Sequence, residues 1–509
     1  VTKLKNKAIE IENLIDNPSV EELRRLAQHH EKTTTYQSAS YVSQVRNRSA
    51  KHSFIIDDVE LGIGQKGISR GEAEKIILQV KDYLSNQEVI RLDRRMGNNN
   101  EFSFNCRLYI TKEYSRIAYM WNNTLFEALD KNNPDFTSIY VPEWPERIII
   151  VDPINYETYI LGTDYFGEAK KSFLRMAMYK VKNDKGLGLH AGSKVLRVKD
   201  KEGNLNEVGF IMFGLSGTGK TTLTIHNHGL EGEEAAIVRQ DDVVFMDEKG
   251  ACFGSENGFF IKTEGLDPSQ KVLYDAAIHP ATVFENVMVN EEGIIDFENT
   301  ELTSNGRGVV LRQEIVNTDD SIDIEKANKI IFITRRNDII PPVAKLTPEQ
   351  AAMYFMLGES IETSAGDPTK AGQAKRCVGT NPFIIGPEAV EGQRIMEILK
   401  NNKDMECYLL NTGSVGAKEG FEGEKITITV STEIMKQIAK DTIEWKKDED
   451  WGYEVPLAME GLDLCKYEPK QYYTEIEYKN IVNALRKERK QWLEQFDNIV
   501  IEGKAIIAS

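Results

Sequence analysis

The sequence lacks most of the features that would assign a chain to a special class. Its five cysteines, Cys106, Cys252, Cys377, Cys407 and Cys465, are scattered, show no CxxC or Cys/His ligand spacing, and cannot all pair with one another. That excludes a secreted disulfide scaffold and a zinc ribbon, and points to reduced thiols. No run of about 18 apolar residues is present to cross a bilayer, and the opening stretch VTKLKNKAIEIENLI has no signal-peptide apolar core. The expectation is a soluble, cytoplasmic protein without a membrane partner. Positive charge is in deficit: Lys and Arg total 63 against 80 Asp and Glu, a net charge of −17. Such a chain is a poor general binder of nucleic acid, so an anionic ligand needs a locally basic pocket. Internal repeats and low-complexity tracts are also missing.

What is present is ordinary globular material. The chain has 509 residues, 40% apolar and 28% charged, enough for two to four domains. Ser19-Val-Glu-Glu22 has the capping-box pattern and opens a short helix. Residues 40–160 mix β-like runs (SFIIDD, RLYITK, RIAYMW, RIIIVD) with one helical stretch, GEAEKIILQVKDYL, and read as α+β. From residue 206 a strand, a Gly-rich loop, a helix and a second strand follow in the order of a nucleotide-binding α/β unit. Residues 249–320 read as short strands divided by Gly and Asn turns. Ile481, Leu485, Trp492 and Phe496 recur at helical spacing, which predicts an amphipathic helix over 475–497. The fold class is α/β with two domains: an α+β domain over 1–185 and a nucleotide-binding domain over 186–509.

The sharpest motif is Gly214-Leu215-Ser216-Gly217-Thr218-Gly219-Lys220-Thr221, which fits G-x-x-x-x-G-K-[ST] without a mismatch and runs on into Thr222. Its glycines let successive N–H groups turn towards phosphate oxygens. Lys220 adds charge at the β/γ position, and the Thr221 hydroxyl is suited to Mg²⁺. About twenty residues later the run Ala235–Val238 leads to Asp241 and Asp242. Carboxylates at such a strand end hold the metal that bridges phosphates. Asp247-Glu-Lys-Gly250 matches the DxxG of GTPase switches, but no N-K-x-D follows to read guanine.

GLSGTGKTTL with the following Asp-Asp resembles the ATP-dependent phosphoenolpyruvate carboxykinases, and the likeness extends along the chain. Tyr165-Phe-Gly-Glu-Ala-Lys170-Lys171 is similar to the family's Y-G-G-E-M-K-K, and His190 lies where the family has a metal-binding His. Phe284-Glu-Asn-Val287, Ile339-Ile-Pro-Pro-Val-Ala-Lys-Leu-Thr347 and Leu409-Leu-Asn-Thr-Gly413 resemble E-N-V, L-P-P-V-x-x-L-T and L-V-N-T-G. Asn47-Arg48-Ser49-Ala50-Lys51 fits G-R-S-P-K more loosely. The resemblance implies the conversion of oxaloacetate and ATP to phosphoenolpyruvate, ADP and CO₂ by a monomer with Mg²⁺ and Mn²⁺. It implies Mn²⁺ on Lys171, His190 and Asp242, with Lys171 made neutral by the cation and by Lys170. Mg²⁺ then sits on Thr221, with Asp241 nearby. Arg48 takes a carboxylate, Tyr165 edges the CO₂ site, and Arg307 bridges enolate and γ-phosphate. Ser216 and Lys262 contact phosphates, and Lys425 and Ser431 lie on the adenine side.

Departures accompany the likeness. The family's lid pattern is replaced by Ala365-Gly-Asp-Pro-Thr-Lys-Ala-Gly372…Arg376-Cys-Val-Gly-Thr380, and Lys425 stands where the family usually has Arg. Another small-acid or protein kinase of the same fold, or a non-catalytic nucleotide binder, stays open at this level.

Overall fold

The computed structural model describes residues 11–215, 217–361 and 373–496. Ser216 and the first part of the altered lid segment, 365–372, lie outside the described residues. The chain divides into two compact units, 1–180 with 255–315 and 181–254 with 316–509. Residues 255–315 thus group with the N-terminal unit, whereas the sequence reading puts everything after 185 into one domain. Strand pairing gives the reason. Val283–Glu285 runs parallel to Ala39–Tyr41 and pairs with Arg307–Val310, which pairs in turn with Phe259–Lys262.

The first unit's main sheet is mixed, with Glu88–Met96, Phe104–Thr111, Phe136–Val141 and Glu157–Leu161 as consecutive neighbours. Helix Arg70–Ser85 covers it. Ala73, Ile77, Val80 and Leu84 lie on one stripe and are buried against Val89, Ile139, Val141 and Tyr159. Ser69 and Glu72 close a reciprocal capping box at its start. The Ser19 expectation holds as a cap, with helix Val20–Ala27 beginning on the Ser19 side chain; Glu22 pairs instead with Arg25. RIAYMW is not a strand but part of helix Ser115–Asn122. Every residue from Ser115 to Trp121 is buried, so the helix shows no polar face, and a short apolar run of that kind does not reveal its period.

In the second unit an eight-stranded mixed sheet places Leu205–Gly214 between its hairpin partner Ala191–Lys199 and the parallel strand Lys329–Thr334, followed by Glu406–Asn411. Alternation sorts its side chains between two cores. Ile211 and Phe213 join the core with helices Pro348–Leu357 and Glu475–Glu494, while Phe210 and Met212 face Leu223, Ile434 and Ile438 of the helices opposite. A strand covered on both faces has to be apolar throughout, which is why VGFIMF carries no polar alternation. The predicted C-terminal helix spans Glu475–Glu494 and begins on a Thr474–Glu477 capping box.

Candidate functional site

In the second unit the strand Leu205–Gly214 runs into the phosphate loop, and helix Lys220–Ile225 follows it. Gly217 and Gly219 have φ of 83° and 91°, a region costly for residues with a Cβ, so both glycines are needed to turn the chain into the helix. The Thr218 hydroxyl donates to the Leu215 carbonyl at 2.7 Å and closes the loop on itself. From outside, Thr412 Oγ1 donates to the Thr218 carbonyl at 2.8 Å and Arg335 donates to the Gly217 carbonyl at 2.9 Å. Thr412 belongs to the Leu409–Gly413 segment, whose Asn411 accepts from the backbone N–H of Arg336 and Gly413 and donates to the Ile340 carbonyl. The family-like segment 409–413, itself tied to Ile340 of segment 339–347, therefore buttresses the loop.

Strand Ala235–Gln240 ends immediately before Asp241 and Asp242. Thr221 Oγ1 lies 3.4 Å from an Asp241 oxygen, bringing the loop's hydroxyl and the first carboxylate together. Asp242 faces His190: Oδ1 is 3.1 Å from Nε2. The other ring nitrogen, Nδ1, is 2.6 Å from the Thr380 carbonyl, which can only accept, so Nδ1 carries the proton. In the neutral ring Nε2 then presents a lone pair to a carboxylate oxygen. Two lone pairs at that distance call for a cation or a further proton between them, and the donor set suits a divalent metal. Thr380 itself has φ of 51° and follows Gly379 at 57°, so the carbonyl that fixes His190 comes from a left-handed turn. Lys425 is exposed on strand Glu424–Lys425, paired in register with Ser414, while Ser431 is buried in helix Ile428–Lys440.

The first unit holds a different constellation. Arg307 and Lys262 are direct cross-strand partners. The Arg307 guanidinium stacks 5.3 Å from the Phe260 ring centre, and its Nε and Nη2 both donate to Asn305 Oδ1, at 3.0 and 2.8 Å. Asn305 Nδ2 donates in turn to the Tyr165 hydroxyl at 3.1 Å and to the Arg46 carbonyl. Tyr165 is buried, and burial raises its pKa against the pull of Arg307 and Arg48. Arg48 Nε is 3.6 Å from Glu168, which also accepts the Ser49 N–H at 2.5 Å. Arg175, one heptad after Glu168 on helix Phe166–Asn183, is drawn down to about 10 by burial and by the nearby Arg48 charge. Lys262 pairs with Glu264. Lys170 is buried with Nζ 2.8 Å from Glu256, so its charge is already answered.

Sequence reasoning missed Asn305, Arg175 and the scaffold beneath them. Glu285 accepts from the Phe166 N–H at 2.9 Å and from Arg116 at 3.2 Å, and burial pushes its carboxyl up to about 7. Arg116 also reaches Asp164, which accepts the N–H groups of Gln44 and Val45. Asn286 accepts from the Ser43 backbone and hydroxyl. The 284–287 segment thus sets both the loop leading to Arg48 and the start of the helix that carries Lys171. Its likeness to a family motif was the signal available; its role was not.

Comparison with known proteins gives a consistent result. A family model described as phosphoenolpyruvate carboxykinase matches residues 12–464. The phosphoenolpyruvate carboxykinase (ATP) of Aeropyrum pernix is 35% identical over 430 residues, covering 84% of this chain and 85% of that protein. The enzyme of the same name from Rhizobium rhizogenes is 29% identical over 366 residues, covering 68% and 65%. That of Staphylococcus aureus (strain bovine RF122 / ET3-1) is 25% identical over 493 residues, covering 90% and 88%.

Proposed function

The chain belongs to the ATP-dependent phosphoenolpyruvate carboxykinase family, and from that premise we propose how its own residues serve the reaction of oxaloacetate and ATP to phosphoenolpyruvate, ADP and CO₂. The phosphate loop, residues 214–222, binds the triphosphate through its N–H groups, with Lys220 on the β/γ side. Lys425 faces the base. Arg48 binds a carboxylate of the four-carbon acid, and Tyr165 lines the place where CO₂ departs. Arg307, held flat by Asn305 and Phe260, meets the developing charge on the enolate oxygen and the transferred phosphoryl group. Lys262 stands beside it on the neighbouring strand.

Family members use divalent metal ions. We assign one to Thr221 and Asp241 as Mg²⁺ and one to His190 and Asp242 as Mn²⁺, with Lys171 added on the family pattern. A cation at the second position supplies Lewis-acid stabilisation of the enolate oxygen. The chain's own contribution is to fix the His190 tautomer through Thr380, so that the Nε2 lone pair is directed towards Asp242. We place the enzyme in the cytoplasm as a monomer.

One observation carries the residue assignment: Arg307, Asn305 and Tyr165 form a single hydrogen-bonded unit. A phosphoryl transfer to a simple hydroxyl has no use for a buried phenol wired to an arginine. The test is a product assay with ATP, oxaloacetate, Mg²⁺ and Mn²⁺. Phosphoenolpyruvate, CO₂ and ADP should form in equal amounts, and Arg307→Ala should lower kcat on the order of 10²–10³-fold. Wild-type turnover by Arg307→Ala would overturn the assignment.

A further inference from the structure

Beneath the phosphate-loop helix lies a buried cation that the reaction does not use. Lys194 is fully buried, on strand Ala191–Lys199. Its Nζ makes three contacts: the Leu223 carbonyl at 2.9 Å, the His226 carbonyl at 2.6 Å and His228 Nε2 at 2.9 Å. His228 is also buried, and its Nδ1 lies 3.0 Å from the Thr432 carbonyl. Leu223 is inside helix Lys220–Ile225 and His226 is its C-cap residue, so Lys194 holds the helix end opposite the phosphate loop. Thr432 follows Ser431 on helix Ile428–Lys440. The strand approaches closely enough for this because residue 192 is glycine: a Cβ there would lie 2.2 Å from Thr224 Oγ1.

A proton count fixes the charge of the pair. Both ends of the chain are carbonyls, which only accept, so four contacts need four N–H protons. A neutral amine and a neutral imidazole supply two and one. One more proton is required, and the pair carries a single positive charge. Burial pulls both groups towards neutrality. The charge is therefore kept by the four contacts acting together, and moving either helix breaks at least one of them.

We propose that Lys194 and His228 are positioning residues for the nucleotide, tying the phosphate-loop helix to the base-side helix so that phosphate and base contacts stay in register. The inference rests on the nucleotide reading of residues 214–222 and 425–431, and deepens it. It predicts a selective defect: a ligand that needs both ends loses more than one that needs only the loop.

The experiment compares binding of ATP and of inorganic tripolyphosphate to the full chain, wild type against Lys194→Met and His228→Leu, by calorimetry. ATP affinity should fall about tenfold or more in each variant, the scale of one lost hydrogen bond to a charged group, with tripolyphosphate affinity changed less than about threefold. Equal losses for both ligands would overturn the tie to the base side. Unchanged affinities with a lowered Tm would make the pair merely structural and overturn the proposal. If a single variant fails to fold, Lys194→Met combined with His228→Leu removes the charge together with its partner and is read by the same two affinities. A wild-type chain that binds tripolyphosphate but not ATP would overturn the base-side reading and this inference with it. One that binds neither would overturn the nucleotide reading as a whole.

Discussion

The two units hold their proposed ligand-binding groups by opposite means. In the second unit the phosphate loop offers backbone N–H groups, and its shape is fixed by two left-handed glycines and by hydrogen bonds to its own carbonyls. In the first unit the groups we propose for the substrate are side chains, Arg48, Tyr165 and Arg307, and each contacts another side chain. A backbone cradle is written in consecutive residues, because neighbouring amides must share one turn. A side-chain cradle can be assembled from anywhere the sheet brings together, and the proposed one draws on residues 46–49, 165–175 and 260–307.

Replacing Arg307 by Lys tests the side-chain arrangement most severely. Lysine keeps the charge but loses the fork that meets Asn305 twice and the flat face that lies on Phe260. If orientation matters as much as charge, kcat falls on the order of 10²-fold or more, approaching the loss in Arg307→Ala. A loss below about tenfold would show that charge alone suffices and would erase the contrast drawn with the loop.

Asn305→Ala sharpens the same point without touching a charge. It frees the guanidinium and removes a partner of the Tyr165 hydroxyl. The expected cost is about 10–10²-fold in kcat/KM for oxaloacetate, since a shift of about 1 Å in a reacting group can cost that much. The KM for ATP should stay within about twofold. A change in ATP affinity as large as that in oxaloacetate turnover would place Asn305 in a different role.

The contrast also explains what the sequence could and could not reveal. The strand before residues 214–221 and the helix after them lie where the apolar run and the Gly-Lys-Thr punctuation put them. The distance of Asp241 and Asp242 from the loop pointed to the neighbourhood in which Asp241 meets Thr221 and Asp242 meets His190. Arg48, Tyr165 and Arg307 are suggested only by family likeness, because no spacing links residues 117 and 142 positions apart. Asn305 was invisible: an Asn before Gly reads as a turn, and only its two side-chain hydrogen bonds from Arg307 show it clamping an arginine. Pairing at long range likewise assigns 255–315 to the first unit, which local composition does not encode.

Acid should weaken the second unit's sheet through one carboxylate. Glu406, at the start of the strand that leads to Asn411 and Thr412, sits between Lys329 and Lys345 and is held down to about 2, the lysine contacts outweighing burial. A group depressed in the folded state stabilises above its unfolded pKa, about 4.3 for glutamate, and that stability is lost as pH falls from there towards 2. Allowing for partial exposure, the loss is on the order of 1–2 kcal/mol. Denaturant unfolding from pH 6 to pH 2 measures it, and Glu406→Gln should flatten the slope between 4.5 and 2. An identical slope in the variant would assign the acid sensitivity to other carboxylates.

The smallest effect is expected where the backbone cradle borrows a side chain. Thr412 Oγ1 donates to the Thr218 carbonyl at 2.8 Å, and it is also 3.2 Å from the Thr334 carbonyl. Thr412→Val keeps the volume and the β-branch but removes the donor. One neutral hydrogen bond is worth about 1 kcal/mol, or about fivefold in an equilibrium constant. The loop is also shaped by its glycines and by Arg335, so part of that loss falls on folding rather than on binding. The KM for ATP should therefore rise about two- to fivefold with kcat nearly unchanged, because the bond is made equally with and without the transition state. A rise beyond about tenfold would mean that the loop depends on its side-chain tie as heavily as Arg307 depends on Asn305. The two units would then hold their ligands in the same way after all.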